Sequence, residues 1–137
     1  VELEAESLMV SLKELTQKTQ ALTGVSCRFE CPTPILITDN NVATHLYRIA
    51  QEAVNNAVRH GQAKNVEVEL IQGESRITLI VRDDGKGISS EKKKTRGIGM
   101  HIMRYRARMI EGDLEFSDNG ERGTRLVCTL PIPKEEN

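Results

Sequence analysis

Residues 42–61 read VATHLYRIAQEAVNNAVRHG, and their apolar side chains recur with the period of an α-helix. On a helical wheel, the Val, Leu, Ile and Ala residues of this run fill one half, which is the half expected to face a core. Asp39, Asn40 and Asn41 each offer a side chain that can cap the start of the helix, and Gly61 can end it. The stretch therefore predicts a long amphipathic helix.

Strands are predicted on both sides of this helix, where apolar and polar residues alternate between turn residues. Two pairs of these strands are separated by short turns and are interpreted as hairpins. In chain order, the predicted elements are a helix over about 4–22, a strand over 25–31, the helix of 42–61, a hairpin of 66–71 and 76–83, a loop over 83–99, a helix over 100–110, and a hairpin of 114–117 and 124–132. This order predicts the α/β (α+β) class, a two-layer sandwich whose mixed, mostly antiparallel sheet carries helices on one face.

Length and composition are those of one globular domain spanning residues 1–137. The formal net charge of −1 supplies no overall field for nucleic acid, so no direct nucleic-acid partner is expected. No run approaches the roughly 18 apolar residues that a transmembrane helix needs. Because the sequence begins with Val1 rather than Met, we expect further regions outside it, such as a membrane anchor or sensor.

The cysteines are Cys27, Cys31 and Cys128, and they lack the C-x-x-C spacing of a zinc site. Cys27 and Cys31 lie four residues apart in a predicted strand, which separates them by about 13 Å, too far for a disulfide. We therefore expect three small core thiols in a reducing compartment.

The polar edge of the 42–61 helix carries Glu52 and Asn56, which lie one turn apart on the same side. Asn55 points about 100° away from Asn56, toward the outward face that also carries Arg59. One interpretation is the solvated rim of an amphipathic helix. The other is a metal–phosphate site, because an amide oxygen can bind magnesium and a carboxylate one turn earlier can orient water or accept a proton.

Asp83, Gly85 and Gly87 form the pattern D-x-G-x-G at the end of a predicted strand. One interpretation is a turn stabilised by its Asp. The other is a nucleotide site, because a strand-end carboxylate can accept a hydrogen bond from the amino group of adenine while glycines let a flat ring approach the backbone. The pattern alone leaves both interpretations open.

A second glycine pair, Gly97 and Gly99, flanks Ile98 directly before the helix predicted to start at Met100. The free N–H groups at a helix start bind phosphate, so this box is interpreted either as a phosphate loop or as a flexible hinge. It does not match the dinucleotide fingerprint, because Ile102 stands where the third glycine would be. The P-loop pattern does not occur either.

Between the two boxes, residues 88–96 read ISSEKKKTR, without a helical or strand period. The basic side chains of Lys92 to Lys94 and of Arg96 form either a solvated charge run or a lid that closes over phosphates. Both interpretations are open.

Four stretches resemble, in order and spacing, the N box, the glycine boxes and the closing strands of two-component sensor histidine kinases. They are RIAQEAVNNAVRHG (48–61), RDDGKGI (82–88), RGIGMHIMRYRARMIEGDLEF (96–116) and GTRLVCTLPIP (123–133). The resemblance is to the ATP-binding catalytic domain, in a superfamily shared with DNA gyrase, the MutL repair proteins and a heat-shock chaperone. It covers nearly the whole chain, is closest to nitrate-sensor-like kinases, and implies the Bergerat type of α/β sandwich.

The resemblance implies ATP and magnesium as ligands, held between the 42–61 helix and the glycine boxes. It implies Asn56 as the magnesium ligand and Glu52 as the catalytic acidic residue of the N box that assists phosphoryl transfer. Asp83 is implied to bind the adenine amino group, with Thr124 helping through a water. The implied ATP-binding set is Asn56, Arg59, His60, Asp83, Gly85, Gly87, Ile88, Gly97, Ile98, Gly99, Met100 and Thr124.

Members of this family transfer the γ-phosphate to a histidine that stands beside an acidic residue on a dimerisation helix. His45, His60 and His101 have no such setting, so the acceptor is expected outside this chain, and no autophosphorylation is expected of the chain alone. The implied partners are the protein's own dimerisation and phosphoacceptor domain and a response regulator with a helix-turn-helix output. The domain is expected in the cytoplasm, with membrane contact only through regions outside it.

Two other functions fit the same boxes. An anti-sigma-factor serine kinase shares the fold but uses a protein serine as acceptor, and a histidine-bearing helix pair upstream would argue against it. A nonenzymatic ATP-gated module of the gyrase or MutL kind needs a following transducer domain that supplies a lysine to the phosphate.

Overall fold

A computed structural model of the chain describes residues 7–35, 37–87 and 92–132, with only the backbone described for Ser7 and 92–98. In these ranges the chain forms helices α1 (Ser7–Thr23), α2 (Asn40–Arg59) and α3 (Lys92–Met109), and strands β1 (Ser26–Glu30), β2 (Asn65–Gln72), β3 (Arg76–Asp83), β4 (Asp113–Asp118) and β5 (Thr124–Pro131). Each helix and strand predicted from the sequence has its counterpart. None of the described helices combines the length and apolarity needed to cross a bilayer.

The strands form one sheet in the order β1-β2-β3-β5-β4. β1 lies parallel to β2, whereas the β2–β3, β3–β5 and β4–β5 pairs are antiparallel. Both predicted hairpins are therefore confirmed, and the sheet is mixed and mostly antiparallel, as predicted.

Helix α2 begins where the carboxylate of Asp39 accepts hydrogen bonds from the backbone N–H groups of Asn41 and Val42, at 2.9 and 3.2 Å. Asp39 is thus the capping residue among the three candidates. The apolar half of α2 is buried, and Leu46 and Ile49 are fully inaccessible to solvent. The predicted amphipathic helix is confirmed, and it lies at the centre of the helical layer.

Helix α3 corrects one prediction, because it begins at Lys92 instead of Met100. The segment predicted as the end of a loop therefore forms the first turns of the helix, and Gly97 and Gly99 lie inside it. The sequence does not predict this start, because α3 has no acidic residue in its first turn and because glycine is a poor helix former. The N–H groups of residues 97–99 lie beyond the first four of the helix, so they are not the free N–H groups of a helix start.

The helices cover one face of the sheet. Alternate residues of β2, such as Val68, are buried beneath them. On the opposite face Glu67 and Glu69 form ion pairs with Arg28 and Arg82 across three strands. Because exposed ion pairs contribute less than about 1 kcal/mol each, apolar burial under the helices is the main source of cohesion between the layers.

The three cysteines are free thiols, but only two of them are the core thiols that the sequence predicts. Cys27 and Cys128 are buried in the core. Cys31, directly after β1, is only half-buried and packs against the edge of that core.

Candidate nucleotide-binding site

A narrow cavity lies between the sheet and helices α2 and α3, where β3 ends. Its walls are formed by Ala53, Asn56, Ala57, Val81, Asp83, Met100, Met103, Phe116, Thr124 and Leu126. Four residues of the implied ATP-binding set thus meet here: Asn56, Asp83, Met100 and Thr124. The cavity volume is about 30 Å³ in this conformation, which is room for about one or two water molecules.

Helix α2 presents Asn56 to the cavity, while Glu52 lies one turn earlier against α3. A Cβ atom added to Gly99 would stand 2.5 Å from Oε1 of Glu52 and 3.8 Å from Nδ2 of Asn56. The backbone of α3 at Gly99 therefore lies directly over the two polar side chains on the edge of α2. Glycine permits this approach because it has no side chain.

Asn55 and Arg59 are exposed and line a different cleft, between α1 and α2. The structure therefore confirms the outward direction of Asn55 but does not bring Arg59 to the cavity that holds Asn56. His60 caps the end of α2, where its backbone N–H donates to the carbonyl of Asn56 at 3.0 Å. His60 is half-buried and is not among the described residues that line the cavity.

Asp83 is the last residue of β3, and strand alternation turns its side chain to the core face together with Val81. The side chain is buried, and its Oδ1 accepts a hydrogen bond from the backbone N–H of Gly85 at 2.8 Å. The D-x-G-x-G pattern thus forms the turn that one interpretation predicted. That turn also holds the carboxylate at the cavity wall, as the other interpretation requires.

The first glycine box is packed onto the end of α2. The backbone N–H of Lys86 donates to the carbonyl of Gly61 at 2.7 Å, and a Cβ atom added to Gly85 would stand 2.5 Å from the same oxygen. Gly87 adopts a φ of 77°, which favours glycine. These two glycines therefore allow close backbone packing directly after Asp83, which lines the cavity.

Asp84 anchors the box from its other side, a role that sequence analysis missed. Its carboxylate accepts hydrogen bonds from the backbone N–H groups of Lys64 and Asn65 at 2.8 and 2.9 Å, and from the Asn65 amide at 2.7 Å. The Asn65 side-chain bond, supported by the backbone donors, holds the pKa of Asp84 below its usual range, although desolvation opposes this shift. No spacing in the sequence pairs Asp84 with residues about 20 positions earlier.

Three predicted positions have no described side chain. Ile88 lies outside the described residues, and Gly97 and Ile98 are described only as part of the backbone of α3. The same holds for the basic side chains of Lys92 to Lys94 that were interpreted as a lid.

The apolar lining of the cavity was not predicted as part of the site. Met103 and Leu126 are buried, and Phe116 is half-buried with the Arg104 guanidinium 5.4 Å from its ring centroid. The apolar periodicity of the elements that carry these residues indicates only that they belong to the core. Which core residues face a cavity depends on how α3 lies across the sheet, and no local pattern encodes that.

A mixed, mostly antiparallel sheet covered on one face by helices, with a cavity between the sheet and α2 and α3, is the two-layer architecture expected of the Bergerat class. A family model described as histidine kinase-, DNA gyrase B- and HSP90-like ATPase matches residues 41–134. The chain belongs to this family.

Individual proteins agree with this assignment. The nitrate/nitrite sensor protein NarX of Escherichia coli is 30% identical over 135 residues, covering 98% of this chain and 22% of NarX. The signal transduction histidine-protein kinase/phosphatase DegS of Brevibacillus brevis is 28% identical over 129 residues, covering 94% of this chain and 33% of DegS. The chain is a histidine kinase-type ATPase domain, and it spans only a fifth to a third of the length of these relatives.

The fold also matches solved structures. The ATP-binding domain of PrrB from Mycobacterium tuberculosis superposes with a TM-score of 0.72 at 20% sequence identity, with 98% of each chain covered. The confirmed fold prediction therefore rests on both the topology and this likeness.

Proposed function

We propose that the chain binds ATP with magnesium at the cavity between α2 and β3. The observation that carries this proposal is the meeting of Asn56 and Asp83, from different elements, at one cavity wall. The buried Asp83 carboxylate is suited to accept a hydrogen bond from the adenine amino group. Thr124, on the same wall, assists through a water.

Magnesium fits the donors at this site only as a nucleotide-bound ion. No cluster of three or more His, Cys, Asp or Glu side chains able to hold a metal occurs within the described residues. Magnesium commonly uses few protein ligands together with substrate phosphates. Asn56 would supply one oxygen ligand and Glu52 a nearby carboxylate, and bound magnesium would neutralise charge on the phosphates.

The phosphoryl group is proposed to pass to a histidine on a separate dimerisation helix, and from there to a response regulator with a helix-turn-helix output. The relatives support this, since NarX is named a sensor protein and DegS a histidine-protein kinase/phosphatase. Glu52, one turn before Asn56 on α2 and close to Gly99, would orient or deprotonate the attacking group. These relatives favour a histidine acceptor over the serine of an anti-sigma-factor kinase.

The chain is proposed to act as one domain, residues 1–137, on the cytoplasmic side, where ATP is available. In the full-length protein the dimerisation region would present the acceptor, and any membrane anchor would lie in other regions.

Titration calorimetry with AMPPNP, with and without magnesium, tests the site. Asn56→Asp and Asp83→Asn should each weaken binding at least about tenfold, because each changes a buried or ligand-facing polar group. Asn55→Asp and Asp118→Asn make the same chemical changes at exposed positions, and they should bind like the wild type. Unchanged affinity in both site variants, with folding intact, would refute the assignment.

A further inference from the structure

The turn that joins β4 and β5 lies against the backbone of the first glycine box. The side-chain Nδ2 of Asn119 donates to the backbone carbonyl of Asp83 at 2.9 Å. Three residues later, Nε of Arg122 donates to the backbone carbonyl of Asp84, also at 2.9 Å. Two side chains of one turn thus hold two successive carbonyls of the box.

Gly123 brings this turn into direct contact with the box. A Cβ atom at Gly123 would stand 1.8 Å from the carbonyl oxygen of Asp83, and its φ is 99°. The backbone N–H of Asn119 donates to the carbonyl of Gly123 at 3.2 Å, which closes the turn. Asn119 is therefore fixed at both its backbone and its side chain.

The side chain of Asn119 supplies a hydrogen bond to β3 at the point where the pairing between β3 and β5 ends. The register between β3 and β5 runs to the Arg82–Arg125 pair. The next carbonyl of β3, that of Asp83, accepts its hydrogen bond from the Asn119 amide. The residue whose carboxylate faces the cavity is thus held from the β5 side by a side chain instead of the β3–β5 ladder.

We propose that Asn119 is a positioning residue that fixes the Asp83 carboxylate and so sets the preference of the site for adenine over guanine. The inference rests on the proposed ATP site. Adenine presents an amino donor where guanine presents a carbonyl oxygen. A fixed carboxylate accepts a hydrogen bond from the adenine amino group and repels the guanine carbonyl oxygen. A mobile carboxylate discriminates less well between the two bases.

The proposed experiment measures AMPPNP and GMPPNP affinities of the 137-residue chain by calorimetry, with unfolding midpoints for every variant. Asn119→Asp keeps the shape of the side chain but removes its amide donor, and Asn119→Ala removes both the shape and the donor. Each should reduce the AMPPNP-to-GMPPNP affinity ratio by about five- to tenfold, the effect of one lost hydrogen bond. Glu121→Gln, an exposed change in the same turn, should keep the wild-type ratio.

A purely structural role for Asn119 would lower the unfolding midpoint but leave the affinity ratio of the folded protein unchanged, and that result would overturn the inference. Asp83→Asn separates this failure from failure of the site itself. If Asp83→Asn weakens AMPPNP binding while the Asn119 variants keep the ratio, only the positioning role is refuted. If Asp83→Asn has no effect on AMPPNP, the proposed site and the inference fall together.

Discussion

Gly99 of α3 lies against the carboxylate of Glu52 in α2, so closely that a Cβ atom on Gly99 would stand 2.5 Å from Oε1. The contact joins the two elements that carry the N box and the second glycine box. Because the obstructing atom is the end of a flexible side chain, an added methyl group would displace the carboxylate instead of the helices. Gly99 thus provides a way to move Glu52 without replacing it.

Gly99→Ala is expected to retain or raise the thermal unfolding midpoint, because Ala is about 1 kcal/mol better than Gly inside a helix. If Glu52 assists phosphoryl transfer as proposed, autophosphorylation of the full-length protein should nevertheless fall at least about tenfold, because the Glu52 carboxylate is displaced. The midpoint is measured by circular dichroism and the activity with radiolabelled ATP.

Gly73→Ala serves as the matched control for this variant. Its added Cβ would meet only the Arg76 carbonyl, at an ordinary contact distance of 3.7 Å. Wild-type activity in Gly73→Ala is expected. Wild-type activity in Gly99→Ala as well would show that the position of Glu52 does not matter for transfer.

The sheet and the central helix were predictable because their signals are local. Alternation defined β2 and β3, and the apolar period with Asp39 as a cap defined α2. The start of α3 was not predictable, because lysines in its first turn oppose the helix dipole and Gly97 and Gly99 lower helix propensity. The close approach of α3 to α2 at Gly99, visible only in three dimensions, explains the glycine at that position.

The same difference between local signals and contacts in three dimensions applies to the candidate site. Asn56 and Asp83 were predicted because residue type, position on an element and family resemblance agreed, and the structure places both at one cavity. Their role in ATP binding remains a prediction. Asp84 and Asn119 were missed because their partners lie in distant segments and most of them are backbone groups, which have no residue type that a sequence pattern can reveal.

A second contact between α2 and α3 predicts a dependence on pH. Nη1 of Arg106 lies 3.3 Å from Nδ1 of His45. Since arginine can only donate, Nδ1 accepts, and the proton of the neutral ring lies on Nε2. Burial and then the Arg106 charge lower the pKa of His45 below its ordinary value.

His45 therefore binds a proton less readily in the folded than in the unfolded state, so its contribution to stability is present above about pH 6.5 and is lost as the pH falls. The unfolding midpoint should drop between about pH 7.5 and about pH 5. His45→Gln, which keeps a neutral acceptor, should flatten this drop, whereas His101→Gln at an exposed position should not. An equal drop in His45→Gln would assign the pH dependence to other groups.

The cysteines should differ in reactivity although none is paired. Burial raises the pKa of Cys27 to about 11, and burial with the nearby Asp113 raises that of Cys128 to about 12. Cys31 is more exposed, so iodoacetamide at neutral pH should label it first and label the other two only in denaturant. Mass spectrometry of digested protein measures the order, and rapid native labelling of Cys128 would contradict the buried position.

Gly123→Ala should be among the most damaging single changes in the chain. Its Cβ would stand 1.8 Å from the backbone carbonyl of Asp83, and a backbone atom cannot move aside as a side chain can. Gly120→Ala is the matched control: its φ of 67° is also positive, but no atom lies within 4 Å of the added Cβ. The control should lose only about 1 kcal/mol from backbone strain, whereas Gly123→Ala should lose more than about 3 kcal/mol or fail to fold. Urea unfolding compares the two variants, and equal losses would mean that the turn does not press against the first glycine box in solution.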